Sequence, residues 1–580
     1  MNFGTIDITI FIGYILLMVG FGIWLSKKDG NESSKDYFLA SGALPWWAVG
    51  GSLIASNIST EQILGMNGSG YVMGLAIGAY ELLAAVTLLV VAKFFLPIFI
   101  RNGIYTMPQF LEKRFNGTVR TIMAFFWVAL FLFVNITSIF YLGGLAIETI
   151  SGVNFIYGVM FLALYSAAFS IFGGLKAVVW TDVAQVVVLV IGGLMACYFV
   201  VSAVGDGGFF DGMSTLYAKA PEKFDLILSK DNLSYDKLPG VGVLIGGMWI
   251  ANIYYWGNNQ YIIQRALAAK SIEEAQKGVA FAALLKLLMP LIVVVPGIAA
   301  FVLAADIVKP DQAFPWVLNN YVGVGFKGLV FAALVAAIGS SISSMVNSVS
   351  TIFTLDIYKT LINKDAEDGH YVRIGKITAA VALFIGVIVA PTLANLDQVF
   401  QYIQEYTGFI SSGVTAVFIF GIFWKRTTSN AALAAILASV PINLALKEFF
   451  EILPFLDRMA FTFLIISVII VVISLVETKG GVVKEIKDKS FRLGLIVVLT
   501  IIPLASGVKM MVEGGDIPRW FSGLIIAISL GLFAVLYTER NSDNEKQLIV
   551  EENAFKTTSF FNIASIVTML ILAFLYAMFW

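Results

Sequence analysis

The residues of this chain that are equipped for chemistry are polar side chains set deep in apolar runs. Asn57, Glu61 and Gln62 fall in the run 46–68, Tyr80 and Glu81 in 75–99, and Asn135 in the middle of 121–149. Asn252, Tyr255, Trp256 and Asn259 fall in 241–263, and Lys286 stands among Leu284, Leu285, Leu287 and Leu288. Gln401 and Gln404, three residues apart, share one helical face. Amides, carboxylates and an ammonium together donate and accept hydrogen bonds, the mixture that a neutral polyhydroxylated molecule asks for. Tyr255 and Trp256 add aromatic surface suited to the apolar face of a sugar ring or to a gate; packing and interfacial anchoring are their plainer uses. An ionised group at mid-membrane costs about 2.5–3.5 kcal/mol on insertion scales, so Glu81 and Lys286 are expected to have partners, each being a candidate for the other. The plainer use of any single polar residue here is interhelical glue, worth about 0.6 kcal/mol per hydrogen bond.

A second group carries hydroxyls. In the run 336–347, Ser340 and Ser341 with Ser344 lie on adjacent helical faces. Hard cations prefer oxygen ligands, and hydroxyls together with the freed carbonyls of a broken helix make a sodium site. Serine bonding back to its own helix, or small-residue packing, accounts for the same residues as well. Asp182, following Trp180 and Thr181 at the start of another run, either raises the affinity of a nearby cation site or caps its helix.

The elements that position these groups belong to a membrane. Of 580 residues 59% are hydrophobic and 13% charged, against roughly 45–50% and 25% in soluble domains. This excludes a soluble enzyme and a disordered chain, and a net charge of −1 offers no basic face to nucleic acid. One cysteine, Cys197, and one histidine, His370, leave no intrachain disulfide and argue against a zinc site, a histidine proton relay or a Ser-His-Asp triad. No covalent catalysis is expected. The first run, 6–25, starts acidic at Asp7 and lacks a small-residue cleavage site, so it reads as a retained helix.

At roughly 20 residues per crossing, about 16 runs qualify, near 6–25, 46–68, 75–99, 121–149, 155–174, 179–204, 241–263, 277–304, 327–359, 374–393, 398–424, 430–449, 458–476, 493–511, 518–538 and 560–580. With the N-terminus outside, inner connections hold 25 of the 37 lysines and arginines and outer ones 10, which selects that orientation and places the C-terminus outside as well. Asn57 to Gln62 with Gly65, Gly68 and Gly70 would not survive on a helix facing lipid all round. The second and seventh runs therefore read as helices broken near the midplane around a cavity. They are five runs apart, as corresponding members of a five-plus-five inverted repeat would be. That gives a transporter core of helices 2–6 and 7–11.

The stretch 173–182 (GGLKAVVWTD) and the run from Ala336 to Tyr358 resemble the two signatures of the sodium/solute symporter family. The segments 252–265 (NIYYWGNNQYIIQR), 400–408 (FQYIQEYTG), 39–50 and 57–70 are similar to its bacterial sodium/galactose, sodium/glucose-type branch. The resemblance spans about 5 to 475 and the last helix; 477–558 departs from it and adds two helices to the usual fourteen. It implies an all-α polytopic membrane protein of the LeuT type, an inverted repeat with discontinuous helices 2 and 7 and accessory helices, about 14–16 in all. It further implies a sodium site from the carbonyls of Ala55, Ile58 and Ala337 and the hydroxyls of Ser340 and Ser341, with Asp182 nearby. The sugar site would use Gln62, Glu81, Asn135, Asn252, Lys286 and Gln404. Tyr255 would stack on the sugar as an inner gate, with Asn57 bridging to the sodium helix, Trp256 beside it and Phe131 in an outer gate. Ala84 and Phe131 depart from the branch, which has serine and tyrosine there.

The expected function is symport of sodium with a hexose, galactose or glucose, by alternating access across a cell (inner) membrane, one sodium per sugar, with the lipid bilayer as the surrounding partner. The rivals are a sodium symporter for inositol, sialic acid or an amino acid, a proton-coupled carrier, and a membrane sensor. The expected division is 1–40 as N-terminal helix and inner loop, 41–205 as first repeat, 206–240 as extracellular loop, 241–426 as second repeat and 427–580 as accessory helices.

Overall fold

The computed structural model describes residues 4–29, 42–396, 398–450, 453–478, 548 and 553–580. The expected helices near 493–511 and 518–538 lie outside these residues. Everything described is helical apart from loops and one isolated bridge between Leu44 and Ala269. Among the described residues, ten helices are long and apolar enough to cross a membrane on their own, or eleven if a bent pair counts as one crossing.

The second span is three pieces, Trp46–Asn57, Glu61–Met66 and Asn67–Met73. The first piece ends because the Ser59 amide turns back to the Asn57 carbonyl, at 2.8 Å, instead of to Ala55. The Ser59 amide is also within 3.2 Å of Gln62 Oε1, which thereby caps the break from inside the chain. The seventh span is likewise Gly247–Ile253, Tyr254–Asn258 and Gln260–Leu267, with Asn259 extended between the last two (φ −88°, ψ 120°). Both expected breaks are therefore present. The middle pieces of both spans are π-helical, as is Phe131–Ile136 in the fourth span (Gly117–Leu130 through Thr137–Ser151). Such wide turns recur at functional sites because they leave backbone groups without their usual i−4 partner.

The eighth span bends by 46° between Ile272–Lys286 and Met289–Val302. Pro290 cannot donate to the preceding turn, which breaks the hydrogen-bond ladder there. Lys286, expected within an unbroken helix, thus ends the first half and sits at the bend.

The fifth and sixth runs are one continuous helical stretch, Phe155–Ser202, of 48 residues. Yet the Gln185 side chain donates to the Tyr165 hydroxyl at 3.4 Å. Twenty residues of straight helix would separate them by about 30 Å, so the chain doubles back between them and makes two crossings. The ninth span, Phe326–Thr351 continuing through Ile352–Tyr358, is almost entirely buried and packs against this stretch. Its N-terminus is capped from the first span: Asp7 Oδ1 accepts from the amides of Gly325 at 2.7 Å and Gly328 at 2.9 Å. The eleventh span is Val399–Phe423, the twelfth Ser429–Phe449 and the thirteenth Phe455–Glu477; Ser559–Met578 lies against the eighth and third. The connection 206–240 contains a helix of its own, Phe209–Lys219.

Candidate binding site

A cavity of about 510 Å³, counting all space between atoms, opens where the second, third, seventh, eighth and eleventh spans converge. Asn57, Gln62, Glu81, Asn252, Tyr255, Trp256, Lys286 and Gln404 all line it. Residues as far apart in sequence as Asn57 and Gln404 are brought together because both broken helices and the bend of the eighth span meet there.

Lys286 organises the polar wall. Its ammonium, 1% exposed, pairs with the Glu81 carboxylate and donates to Asn57 Oδ1. It also lies 5.1 Å from the centre of the Trp256 ring, a cation–π distance. Glu81 and Lys286 are indeed each other's partners, which is how two charges are tolerated in a buried site. Asn57 turns its amide the other way and donates to the Tyr255 hydroxyl at 3.0 Å. That hydroxyl also accepts from Tyr261 at 2.7 Å, and the Tyr255 ring is edge-on to Trp256 with centroids 5.0 Å apart. Tyr255 is thus held by two hydrogen bonds and a ring contact, a side chain whose release needs several contacts to break.

Behind Asn57 lies the hydroxyl cluster. Ser341 Oγ donates to the Ser56 carbonyl at 3.3 Å, joining the ninth span to the broken turn of the second. Ser340 donates to Asp182, whose other oxygen accepts from Ser52 at 2.6 Å and Ser56 at 3.2 Å. The carbonyl of Ala55 has lost its i+4 amide to the break, and Ile58, which ends the helix, has a non-helical ψ of 83°. Freed carbonyls from the second span and serine hydroxyls from the ninth are a hard-cation donor set. Asp182 is not a mere helix cap: it lies inside the stretch Phe155–Ser202 and is fully buried.

Two expected site residues stand apart from the cavity. Asn135 is buried in the π turn of the fourth span and is not among the lining residues; its Oδ1 has no partner among the described residues. Phe131 is fully buried and reaches Tyr255 at one remove, edge-on to Tyr261 with centroids 5.7 Å apart.

Sequence reading missed Arg265. Counted among inner-loop cations, it is instead inside the seventh span and 0% exposed, 3.6 Å from Asp182. Its Nε donates to Ser52 Oγ at 3.1 Å and its Nη2 to Ser344. A run that breaks at Asn259 restarts its helix, and this carries the apolar segment past the point where hydropathy ended it. The contact of Tyr80 with Phe400, edge-on at 5.3 Å, was also missed, as was the role of Gly65, where a Cβ would lie 2.8 Å from that of Phe400.

A profile of the Sodium:solute symporter family matches residues 37–439. The chain is 50% identical over 529 residues to a sodium/glucose cotransporter of Vibrio parahaemolyticus, covering 86% of this chain and 97% of that one. It is 31% identical over 487 residues to the human sodium/myo-inositol cotransporter 2, covering 78% and 71%. The solved substrate-bound, outward-open structure of a Na+-coupled sialic acid symporter superposes with a TM-score of 0.72 at 25% identity, covering 82% of this chain and 98% of that one. Fold, broken helices and sequence agree, and the chain belongs to the sodium/solute symporter family, as a multi-pass, all-α membrane protein of the LeuT type.

Proposed function

We propose that the protein couples the downhill entry of sodium to the import of a hexose, and that the turn 55–60 of the second span is where the two passengers meet. One observation carries this reading. Asn57 bonds both Lys286 and Tyr255 of the cavity, while the adjacent Ser56 carbonyl accepts from Ser341 of the ninth span. Sodium bound by the carbonyls of Ala55, Ile58 and Ala337 and the hydroxyls of Ser340 and Ser341 orders this turn, with Asp182 beside it. The ordered turn fixes Asn57 and Gln62 for the sugar. Coupling is then reciprocal, each ligand binding better once the other is present.

The sugar is held by Gln62, Glu81, Asn252, Lys286 and Gln404 and stacks on Tyr255, with Trp256 beside the gate; Asn135 and Phe131 act from behind it. Loss of sodium to the cytoplasm loosens the turn and frees Tyr255, and the sugar follows. The moving parts are the two repeats, 41–205 and 241–426, with the helices outside them as scaffold. Both termini face outward from a cell membrane, as the charge asymmetry of the connections supports; moving Arg265 into a span leaves that asymmetry standing.

The test is uptake of radiolabelled hexose into proteoliposomes, with sodium replaced by choline at fixed pH and unlabelled hexoses, inositol, sialic acid and amino acids as competitors. Sodium-dependent uptake blocked by hexoses supports the reading. Uptake that survives sodium removal and follows a proton gradient, or that only a non-sugar blocks, rejects it.

A further inference from the structure

The thirteenth span, outside the ten-helix core, reaches the binding cavity. Met459 is one of the lining residues, together with Ala251 of the seventh span and Thr407, Gly408 and Ser411 of the eleventh. Gln404, Thr407, Gly408 and Ser411 are i, i+3, i+4 and i+7, one stripe along a single helix face. The stripe starts at an amide of the polar wall and becomes small and less polar along its length.

Met459 is held at this stripe on purpose-built contacts. A Cβ on Gly408 would come within 2.9 Å of Met459 Sδ, so the thioether lies close across this glycine of the eleventh span and would have to shift for any larger residue. Ser412 donates to the Met459 carbonyl at 3.0 Å. Arg458, next to Met459, donates to Glu405, next to Gln404, at 2.8 Å. On the other side, a Cβ on Gly247 would fall 2.0 Å from the Leu456 carbonyl oxygen, so the start of the thirteenth span is wedged directly against the seventh. Met459 itself is 2% exposed. The Thr407 hydroxyl beside it is buried and has no partner among the described residues.

From this we infer that Met459, lying over Gly408 and flanked by Ala251 and Thr407, walls a side pocket of the sugar site and sets how large a substituent the hexose is allowed to carry. The ligand class for this pocket is an alkyl or aryl group on a hexose ring, with the Thr407 hydroxyl available to the linking oxygen. A methionine wall suits this use, because its unbranched thioether re-packs around ligands of different shape. The inference rests on the hexose reading above and adds an accessory helix to the determinants of specificity.

Two variants of the full chain in proteoliposomes test it. The chain's one cysteine, Cys197, is buried, so Met459→Cys introduces a distinct thiol facing the cavity. With sodium present and hexose tenfold above its dissociation constant, modification of that thiol by a small methanethiosulfonate is expected to slow about tenfold, as mass action on one shared site requires. For Met459→Ala, competition against labelled hexose is expected to improve for a phenyl glucoside relative to the free sugar by about tenfold, the low end for one group in an apolar pocket. A thiol that is not modified, or whose modification hexose does not slow in a variant that still accumulates hexose on sodium, overturns the inference. So does an unchanged ratio of the two inhibition constants in Met459→Ala. Failure of the unmodified chain to accumulate hexose on a sodium gradient overturns the hexose reading instead.

Discussion

Arg265 stands 3.6 Å from Asp182, and neither side chain is exposed at all. The pair ties the seventh span to the sixth, and its hydrogen bonds to Ser52 and Ser344 draw in the second and ninth. All of the elements around the hydroxyl cluster are therefore joined through one guanidinium. Removing one member of a buried pair leaves the other charge without compensation, at a cost of about 3–5 kcal/mol. Arg265→Met is accordingly expected to lower thermal stability of the detergent-purified protein strongly, and Asp182→Asn in the same chain to recover most of that loss. A double variant no more stable than Arg265→Met would show that the ion pair is not what holds these spans.

The Lys286–Glu81 pair permits the same separation of folding from transport. Lys286→Met strands the Glu81 carboxylate, and adding Glu81→Gln removes the stranded charge. The double variant is expected to regain stability by several kcal/mol over the single one and yet to remain without hexose uptake, because the cavity has lost its ammonium and Asn57 has lost a donor. Thermal unfolding and sodium-driven uptake, measured on the same preparations, read the two effects. Recovery of uptake together with stability would make Lys286 a structural residue.

Much of this arrangement was legible in the sequence, for physical reasons that differ from residue to residue. Asn57, Gln62, Tyr255 and Lys286 announced themselves because polar groups in an apolar run are expensive unless something uses them. The breaks in the second and seventh spans were legible from the same cost together with the glycines. Arg265 was not, because a cation a few residues beyond an apolar stretch reads as a loop charge when the chain is scanned for hydropathy alone. Met459 was not, because methionine in an apolar helix carries no cost to signal a role; only the packing of a third helix between two others puts it at the cavity. The join of the fifth and sixth runs into one helical stretch left no mark on composition.

Ser341 joins the ninth span to the broken turn, and its hydroxyl belongs to the proposed cation donor set. Ser341→Ala deletes one oxygen and keeps a small side chain. A net hydrogen-bond-sized contribution of about 1–1.5 kcal/mol, the upper part of the usual range, corresponds to roughly a tenfold rise in the sodium concentration giving half-maximal hexose uptake. The maximal rate at saturating sodium is expected to fall less. Sodium titrations of uptake at fixed membrane potential measure both. An unchanged half-maximal concentration would remove Ser341 from the cation site.

Ala84 and Phe131, the two departures from the family's sugar-carrying branch, occupy different places and should differ in consequence. Ala84 lines the cavity one turn along the third span from Glu81, so a hydroxyl added there faces the cavity proposed for the sugar. Phe131 is fully buried against Tyr261 and lines no part of it. A new hydrogen bond is worth about 0.5–1.5 kcal/mol, so Ala84→Ser is expected to change the ratio of galactose to glucose inhibition constants by up to about tenfold. Phe131→Tyr acts only through the ring that contacts the gate. It is expected to alter the rate of transport for both sugars alike and to leave their ratio near its original value. Competition assays with the two hexoses against each variant decide this, and a ratio that moves with Phe131→Tyr and not with Ala84→Ser would reverse the assignment of specificity between the third and fourth spans.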